Sequence, residues 1–319
     1  MAQTERILIT GALGQIGTEL TKKLMEIYGE DQVIASGLEP KAQIQTPAKH
    51  YETLDVTDTP RLREVIEKHH ITTVYHLASL LSGTSEKNPL LAWKLNLDPL
   101  IQLCEIAKEG LISKIFWPSS IAVFGKGIPK YDVGQEVVLN PTTVYGISKL
   151  AGEKWCEYYW DKYGVDVRSI RYPGLISWKT PAGGGTTDYA VEIFYEAVEK
   201  GKYTSFISEN TAMPMLYMDD AINATLQLMN APKESLSVRT SYNLGGLSFT
   251  PKELSEEIKN IIPEFEISYE PDFRQAIADS WPASIDDSVA KKDWGLTYEF
   301  GIQEMTKDMI DNLRIKLGK

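Results

Sequence analysis

Three side chains in this sequence are of the types that take a proton from an alcohol while a hydride leaves its carbon. Tyr145 and Lys149 stand four apart in Tyr145-Gly146-Ile147-Ser148-Lys149, and Ser120 lies 25 positions upstream of the tyrosine, at the end of a hydrophobic run. On a helix, positions i and i+4 share a face, so an ammonium held beside a phenol is expected to draw its pKa down from about 10 toward the working pH. A phenol tuned in that way is a general base. The same spacing also arises on ordinary amphipathic helices, so its meaning depends on what the rest of the chain places beside it.

At the N-terminal end, the buried-strand run Arg6-Ile7-Leu8-Ile9-Thr10 leads at once into Gly11-Ala12-Leu13-Gly14-Gln15-Ile16-Gly17 and a helical stretch over 18–28. Strand, glycine turn and helix N-terminus together receive a pyrophosphate: backbone N–H groups approach it closely and the helix end is partially positive. The spacing is G-x-x-G-x-x-G, a departure from the G-x-G-x-x-G of standard dinucleotide folds. About 20 residues past the last glycine, a carboxylate is expected to take the adenosine ribose hydroxyls. That position is Gly37, and Glu39, two residues on, would face the same side if the chain stays extended. No arginine stands nearby to welcome a 2′-phosphate, so the expected cofactor is NAD.

These groups need a scaffold. Strand-like runs at 6–10, 32–36, 73–77, 113–118 and 165–171 alternate with helical patterns at 15–28, 58–69, 86–108 and 141–164. Such alternation predicts an α/β fold with a doubly wound parallel sheet, whose ligands bind beyond the carboxyl ends of the strands. Gly11–Gly17, Leu77-Ala78-Ser79, Ser119-Ser120 and Arg171-Tyr172-Pro173-Gly174 all fall at such ends. After residue 174 the pattern turns to loops, short helices and isolated strands, predicting a dinucleotide-binding domain over 1–174 and a smaller substrate lobe over 175–319, interleaved with some return to the main domain. Within that lobe, the loop 182–187 leads into a helix over 188–200, and Thr250-Pro251-Lys252-Glu253 opens another with a capping box and a proline at its first position.

Composition narrows the partners. A chain of 319 residues, 43% hydrophobic, can bury a large core. A formal charge of −11 with no basic stripe argues against nucleic acid, and the apolar runs fall short of a membrane span. The first strand begins too early for a signal peptide, so the expected location is the cytoplasm. Cys104 and Cys156, both in helical patterns, read as reduced core thiols. The histidines, His50, His69, His70 and His76, have no metal-ligand spacing with them, so no metal is expected.

The glycine turn, Leu54-Asp55-Val56, His76-Leu77-Ala78-Ser79, Ser119-Ser120 with Val123-Phe124-Gly125, Tyr145 to Lys149, Arg171-Tyr172-Pro173 and Tyr217-Met218-Asp219-Asp220-Ala221 resemble the extended short-chain dehydrogenase/reductase family, over nearly the whole chain. Within it, Tyr172 to Ser177, Gly185 to Tyr195 and Ser280-Trp281-Pro282 resemble the epimerase-like L-threonine 3-dehydrogenases, as distinct from zinc-dependent enzymes of that activity. The resemblance implies a Rossmann sheet, NAD as cofactor and oxidation of L-threonine at its β-hydroxyl carbon to 2-amino-3-oxobutyrate, a step of threonine catabolism. Tyr145 would be the base, Ser120 would hydrogen-bond the substrate oxygen, and Lys149 would hold the nicotinamide ribose. Cofactor contacts would come from Gly11, Gly14, Gln15, Ile16, Gly17, Asp55, Val56, Leu77, Ala78, Ser79, Asn96, Tyr172, Gly174 and Ile176 besides Tyr145 and Lys149. Substrate contacts would come from Ser82, Gly184, Thr186 and Trp281. The family expectation for assembly is a homodimer through the helices holding 86–108 and 141–164.

Two other readings stay open. A nucleotide-sugar epimerase or dehydratase uses the same Tyr, Lys and Ser set, and Arg239 and Arg274 are the cations that could grip its diphosphate. The asparagine that such enzymes aim at the sugar is, however, Gly174 here. A non-catalytic dinucleotide sensor would keep the fold but has no need of Tyr145, Lys149 and Ser120 together.

Overall fold

The computed structural model describes residues 5–319, and the chain divides into two compact units. The first comprises residues up to 123 with 142–171 and 225–242; the second comprises 124–141, 172–224 and 243–319. Residues 124–141 join the second unit early, and 225–242 return to the first.

The sheet opens with β1 (Ile7–Thr10), α1 (Gln15–Tyr28), β2 (Val33–Gly37), β3 (His50–Thr53), α2 (Thr59–Lys68) and β4 (Thr73–His76). It continues through α3 (Ser82–Lys87), α4 (Pro89–Lys108), β5 (Lys114–Ser120), α5 (Val144–Tyr163) and β6 (Val167–Tyr172). The remaining elements are β7 (Gly174–Ile176), α6 (Tyr189–Lys200), β8 (Lys202–Ser205), β9 (Met213–Tyr217), α7 (Met218–Asn230), β10 (Tyr242–Asn243), β11 (Leu247–Phe249), α8 (Pro251–Ile261), β12 (Glu266–Tyr269), α9 (Arg274–Ser280), α10 (Ser288–Trp294) and α11 (Ile302–Leu317).

Seven strands form the main sheet in the order β10-β6-β5-β4-β1-β2-β3. From β3 to β5 the pairs are parallel. The order 3-2-1-4-5-6 is that of the Rossmann fold, with its switch point between β1 and β4. All four side chains of β1 are buried, as are those of β4, and both are made of the β-branched, aromatic and aliphatic residues that mark a strand covered on both faces, with only Thr10, Thr73 and His76 polar. β3, His50-Tyr51-Glu52-Thr53, buries only Glu52 and carries no such signal. Helix α5 packs closely because Gly152 lies against the Trp117 indole, where a Cβ would sit 2.6 Å from Cζ2.

The second unit has its own core, built from Ile176, Phe194, Met213, Met215, Leu254 and Met309 among others. α8 begins with the expected capping box: Thr250 Oγ1 accepts from Glu253 N at 3.1 Å, and Glu253 Oε2 accepts from Thr250 N at 2.8 Å.

Candidate active site

The first unit's site draws on the carboxyl ends of β1, β4 and β5 and on helices α3, α4 and α5. Gly11 follows β1 at φ +68°, and a Cβ there would approach Ala78 N to 2.7 Å, so the turn lies directly on the segment after β4. Gly17 lies against the backbone of Gly11 and Ala12, close enough that only glycine fits. Helix α1 starts from Gly14 with no side-chain cap and no acidic residue in its first turn. An N-terminus so uncapped, at a turn with glycine at 11, 14 and 17, fits the pyrophosphate of a dinucleotide.

Beyond β4, Leu77 N donates to Thr10 O at 3.1 Å. Asn96 on α4 is buried and clamps the next residues: its Oδ1 accepts from Leu80 N at 2.7 Å and its Nδ2 donates to Leu80 O at 3.2 Å and to Ser148 Oγ at 3.3 Å. Its amide is thus bound to protein atoms on both ends and acts on Leu77, Ala78 and Ser79 through the loop. Asp55 is exposed, and its Oδ1 accepts from Thr57 N and Thr57 Oγ1 at 2.9 and 2.8 Å; Val56 beside it is buried. Ser82 opens α3 and is exposed.

Ser120 ends β5 and Tyr145 lies in the first turn of α5, near enough for the serine hydroxyl to favour the ionised phenol. Thr143 caps that turn, accepting from Gly146 N at 3.0 Å, and Glu86 Oε1 accepts from Val144 N at 2.7 Å. One turn on, Lys149 is 1% exposed; its Nζ donates to Pro118 O at 2.7 Å, 4.6 Å from the Trp117 ring and 5.4 Å from that of Tyr145.

The electrostatics differ from the sequence expectation. Burial pushes the Tyr145 phenol up to about 12, and the force pulling it down is the hydrogen bond from Ser120 rather than the lysine. Burial also depresses Lys149 to about 7, so near neutrality only part of the population carries the charge that was to tune the phenol. His76, at the end of β4, is held near 3 by burial and by Lys149; its Nδ1 is 2.7 Å from Thr10 Oγ1, and its Nε2 has no partner among the described residues.

Beneath these groups lies an ion pair that sequence reasoning missed. Glu153, 0% exposed, accepts from Arg171 Nε and Nη2 at 3.0 and 2.8 Å and from Ser119 Oγ at 2.6 Å. Glu153 is one turn past Lys149, and Ser119 precedes Ser120, so the pair ties α5, β5 and β6 together under the reacting groups. Only the position of Glu153 four residues after Lys149 hinted at it.

Glu39 does not take the expected place. The chain bends at Leu38-Glu39 instead of staying extended, and Glu39 is exposed. Cys104 and Cys156 are free, buried thiols.

The second unit carries the remaining candidates. Tyr172 is buried, Gly174 packs against Thr187, and the side chain of Ile176 is wholly inside the core. Gly184 is exposed at φ +93°, and Thr186 is buried in the 3-10 turn that precedes α6. Asp188 Oδ2 accepts from Gly183 N and Gly185 N at 2.7 and 2.8 Å, so a carboxylate of the protein already holds one of the loop N–H groups expected to receive the substrate. Trp281 follows α9, partly buried against the core. Arg274 pairs with Asp272 at 2.8 Å and stacks on Phe206. In the first unit, Arg239 stacks on Trp160 and bonds Lys233 O and Asp166. Among the described residues no helix is long and apolar enough to cross a membrane, and no group of three or more His, Cys, Asp or Glu could hold a metal ion.

The sheet order, the glycine turn and the Tyr145, Lys149 and Ser120 set belong to an NAD-dependent enzyme of the short-chain dehydrogenase type, and the sequence profile of the NAD dependent epimerase/dehydratase family matches residues 7–245. The chain belongs to that family, and NAD is its cofactor. It is 49% identical, over 98% of both chains, to an uncharacterized epimerase/dehydratase of Staphylococcus haemolyticus. Among solved structures, it is similar to the holo form of a GalE-like L-threonine dehydrogenase from Cupriavidus necator, with 53% identity, a TM-score of 0.94 and coverage of 97% of this chain and 99% of that one. A monomeric L-threonine 3-dehydrogenase from a metagenome shows 50% identity and a TM-score of 0.92, over 98% of this chain and 100% of the other.

Proposed function

We propose that this protein oxidises L-threonine at its β-hydroxyl carbon to 2-amino-3-oxobutyrate. The observation that carries the reading is buried Lys149 set 5.4 Å from the Tyr145 ring with Ser120 acting on the same phenol, in a chain that matches an L-threonine dehydrogenase at 53% identity along nearly its whole length. The chemistry supplied by bound NAD is acceptance of the hydride that leaves that carbon. Tyr145 Oη takes the hydroxyl proton while Ser120 holds the same oxygen. The protonated fraction of Lys149 favours the ionised phenol, and its ammonium holds the nicotinamide ribose.

Gly11, Gly14, Gln15, Ile16 and Gly17 would carry the pyrophosphate, Asp55 and Val56 the adenine, and Leu77, Ala78, Ser79, Tyr172, Gly174 and Ile176 the nicotinamide side, with Asn96 acting through the loop it clamps. Ser82, Thr186, the Gly184 N–H and Trp281 would meet the substrate. A nucleotide-sugar substrate is disfavoured because Arg239 and Arg274, its candidate diphosphate partners, are both engaged by carboxylates and aromatic rings.

NADH formation with L-threonine, and none with UDP-sugars, is the expected result. Turnover of a UDP-sugar with no response to L-threonine would sink the reading. Tyr145→Phe should bind NAD normally and lose about 100- to 10,000-fold in turnover; full activity in that variant would remove tyrosine as the base.

A further inference from the structure

The acid expected at the tip of β2 is absent, and the space it would use is filled. A Cβ on Gly37 would lie 2.8 Å from the hydroxyl oxygen of Tyr51 and 3.2 Å from Leu13 Cδ1 of the glycine turn. Tyr51 stands on β3 opposite Ala35, and its ring reaches forward along the neighbouring strand to the tip. Its hydroxyl donates to Glu39 O at 2.9 Å. The Gly37 carbonyl accepts from Leu54 N at 2.8 Å, which fixes the tip from the other side.

A phenol hydroxyl has one proton to give and two lone pairs to offer. Here the proton is committed to Glu39 O, so the hydroxyl presents lone pairs alone, as the missing carboxylate would. A ribose hydroxyl can donate to it; a 2′-phosphate brings only acceptors and negative charge. Burial, and then the nearby Glu39 carboxylate, raise the Tyr51 pKa, so the phenol stays neutral. The lysines on the β2–β3 connection are engaged: Lys41 Nζ donates to Lys49 O at 2.8 Å, and Lys49 pairs with Asp31 at 2.7 Å.

We propose that the Tyr51 hydroxyl, in the room left by Gly37, accepts the adenosine-ribose hydroxyl of NAD and sets the preference for NAD over NADP. It is a specificity-determining residue that replaces the acid from the neighbouring strand, and an acid at position 37 would have to push the tyrosine hydroxyl from its place.

The test is direct binding by calorimetry, without turnover, of NAD+, NADP+ and an NAD+ analogue lacking both adenosine-ribose hydroxyls. Tyr51→Phe should weaken NAD+ about three- to tenfold, leave the analogue unchanged and weaken NADP+ not at all. If Tyr51→Phe binds NAD+ like the wild type, or weakens NAD+ and the analogue alike, the proposal is overturned; the second outcome would mean that the tyrosine merely props the Glu39 bend. Gly37→Asp should bind NAD+ less tightly than the wild type, and Gly37→Asp with Tyr51→Phe should recover part of the loss. Tighter NAD+ binding by Gly37→Asp alone contradicts the steric argument. Where Gly37→Asp does not fold, the Tyr51→Phe results decide.

Discussion

Replacing Lys149 by methionine should make the cofactor-free protein more stable at low pH while abolishing its activity. Burial depresses the amine from 10.5 to about 7. Between those values the unfolded chain binds a proton that the folded chain does not, so stability rises with pH across that window. Below about pH 7 both states are charged and the cost of burial is felt in full: roughly 5 kcal/mol, at about 1.4 kcal/mol per pH unit. Methionine removes that cost but strands Pro118 O, worth about 1–3 kcal/mol, and forfeits the contact with the Trp117 ring, about 0.5–2 kcal/mol. The variant should therefore exceed the wild type by roughly 2 kcal/mol near pH 6. That margin should shrink by roughly 3 kcal/mol by about pH 9.5, so that the wild type overtakes it. Urea unfolding of both proteins at the two pH values, with matched m-values, measures the difference. A variant less stable than the wild type near pH 6, or a margin that does not move with pH, refutes the argument.

Glu153→Gln removes the buried charge that Arg171 and Ser119 bond and should cost about 3–5 kcal/mol in urea unfolding, whereas replacing Glu153 and Arg171 together by methionine should cost much less. Asp188→Ala frees the loop N–H groups of Gly183 and Gly185; losing two bonds of about 1 kcal/mol each should loosen the loop and raise the KM for L-threonine with little change in kcat. Light scattering should find a dimer, because α4 and α5 expose Leu90, Leu91, Trp93, Ile147 and Tyr158; a monomer at micromolar concentration would contradict that assignment.

What could be read from the residues was whatever local pattern dictates. The glycine turn, β1, β4 and the Tyr145, Lys149 and Ser120 set are contiguous or regularly spaced, and burial on both faces of a parallel sheet writes itself as apolar runs. β3 has no such run, and so Tyr51, the residue that answers the missing acid at Gly37, was invisible until the strands were paired. Glu39 failed because the chain bends at 38–39, a tertiary choice locked by Tyr51. The sign of the Tyr145 shift was misread because i,i+4 proximity speaks of charge but not of desolvation, which also discharges Lys149. The glycine loop looked like an open anion site, and only side-chain geometry reveals Asp188 already bound there.

The return of residues 225–242 to the first unit bears on how the protein is made. Arg168, 4% exposed, donates through Nη1 to Leu228 O at 2.7 Å, Met229 O at 3.1 Å and Ala231 O at 2.7 Å, and Lys114 reaches Met229 O at 3.0 Å. On the ribosome, the nucleotide-binding sheet must wait for a segment made some 60 residues after β6 before those cations lose their exposure to water. The nascent chain therefore holds an unfinished sheet edge while most of the second unit's first half is being translated, and that interval is when it is most open to chaperones and to misassembly.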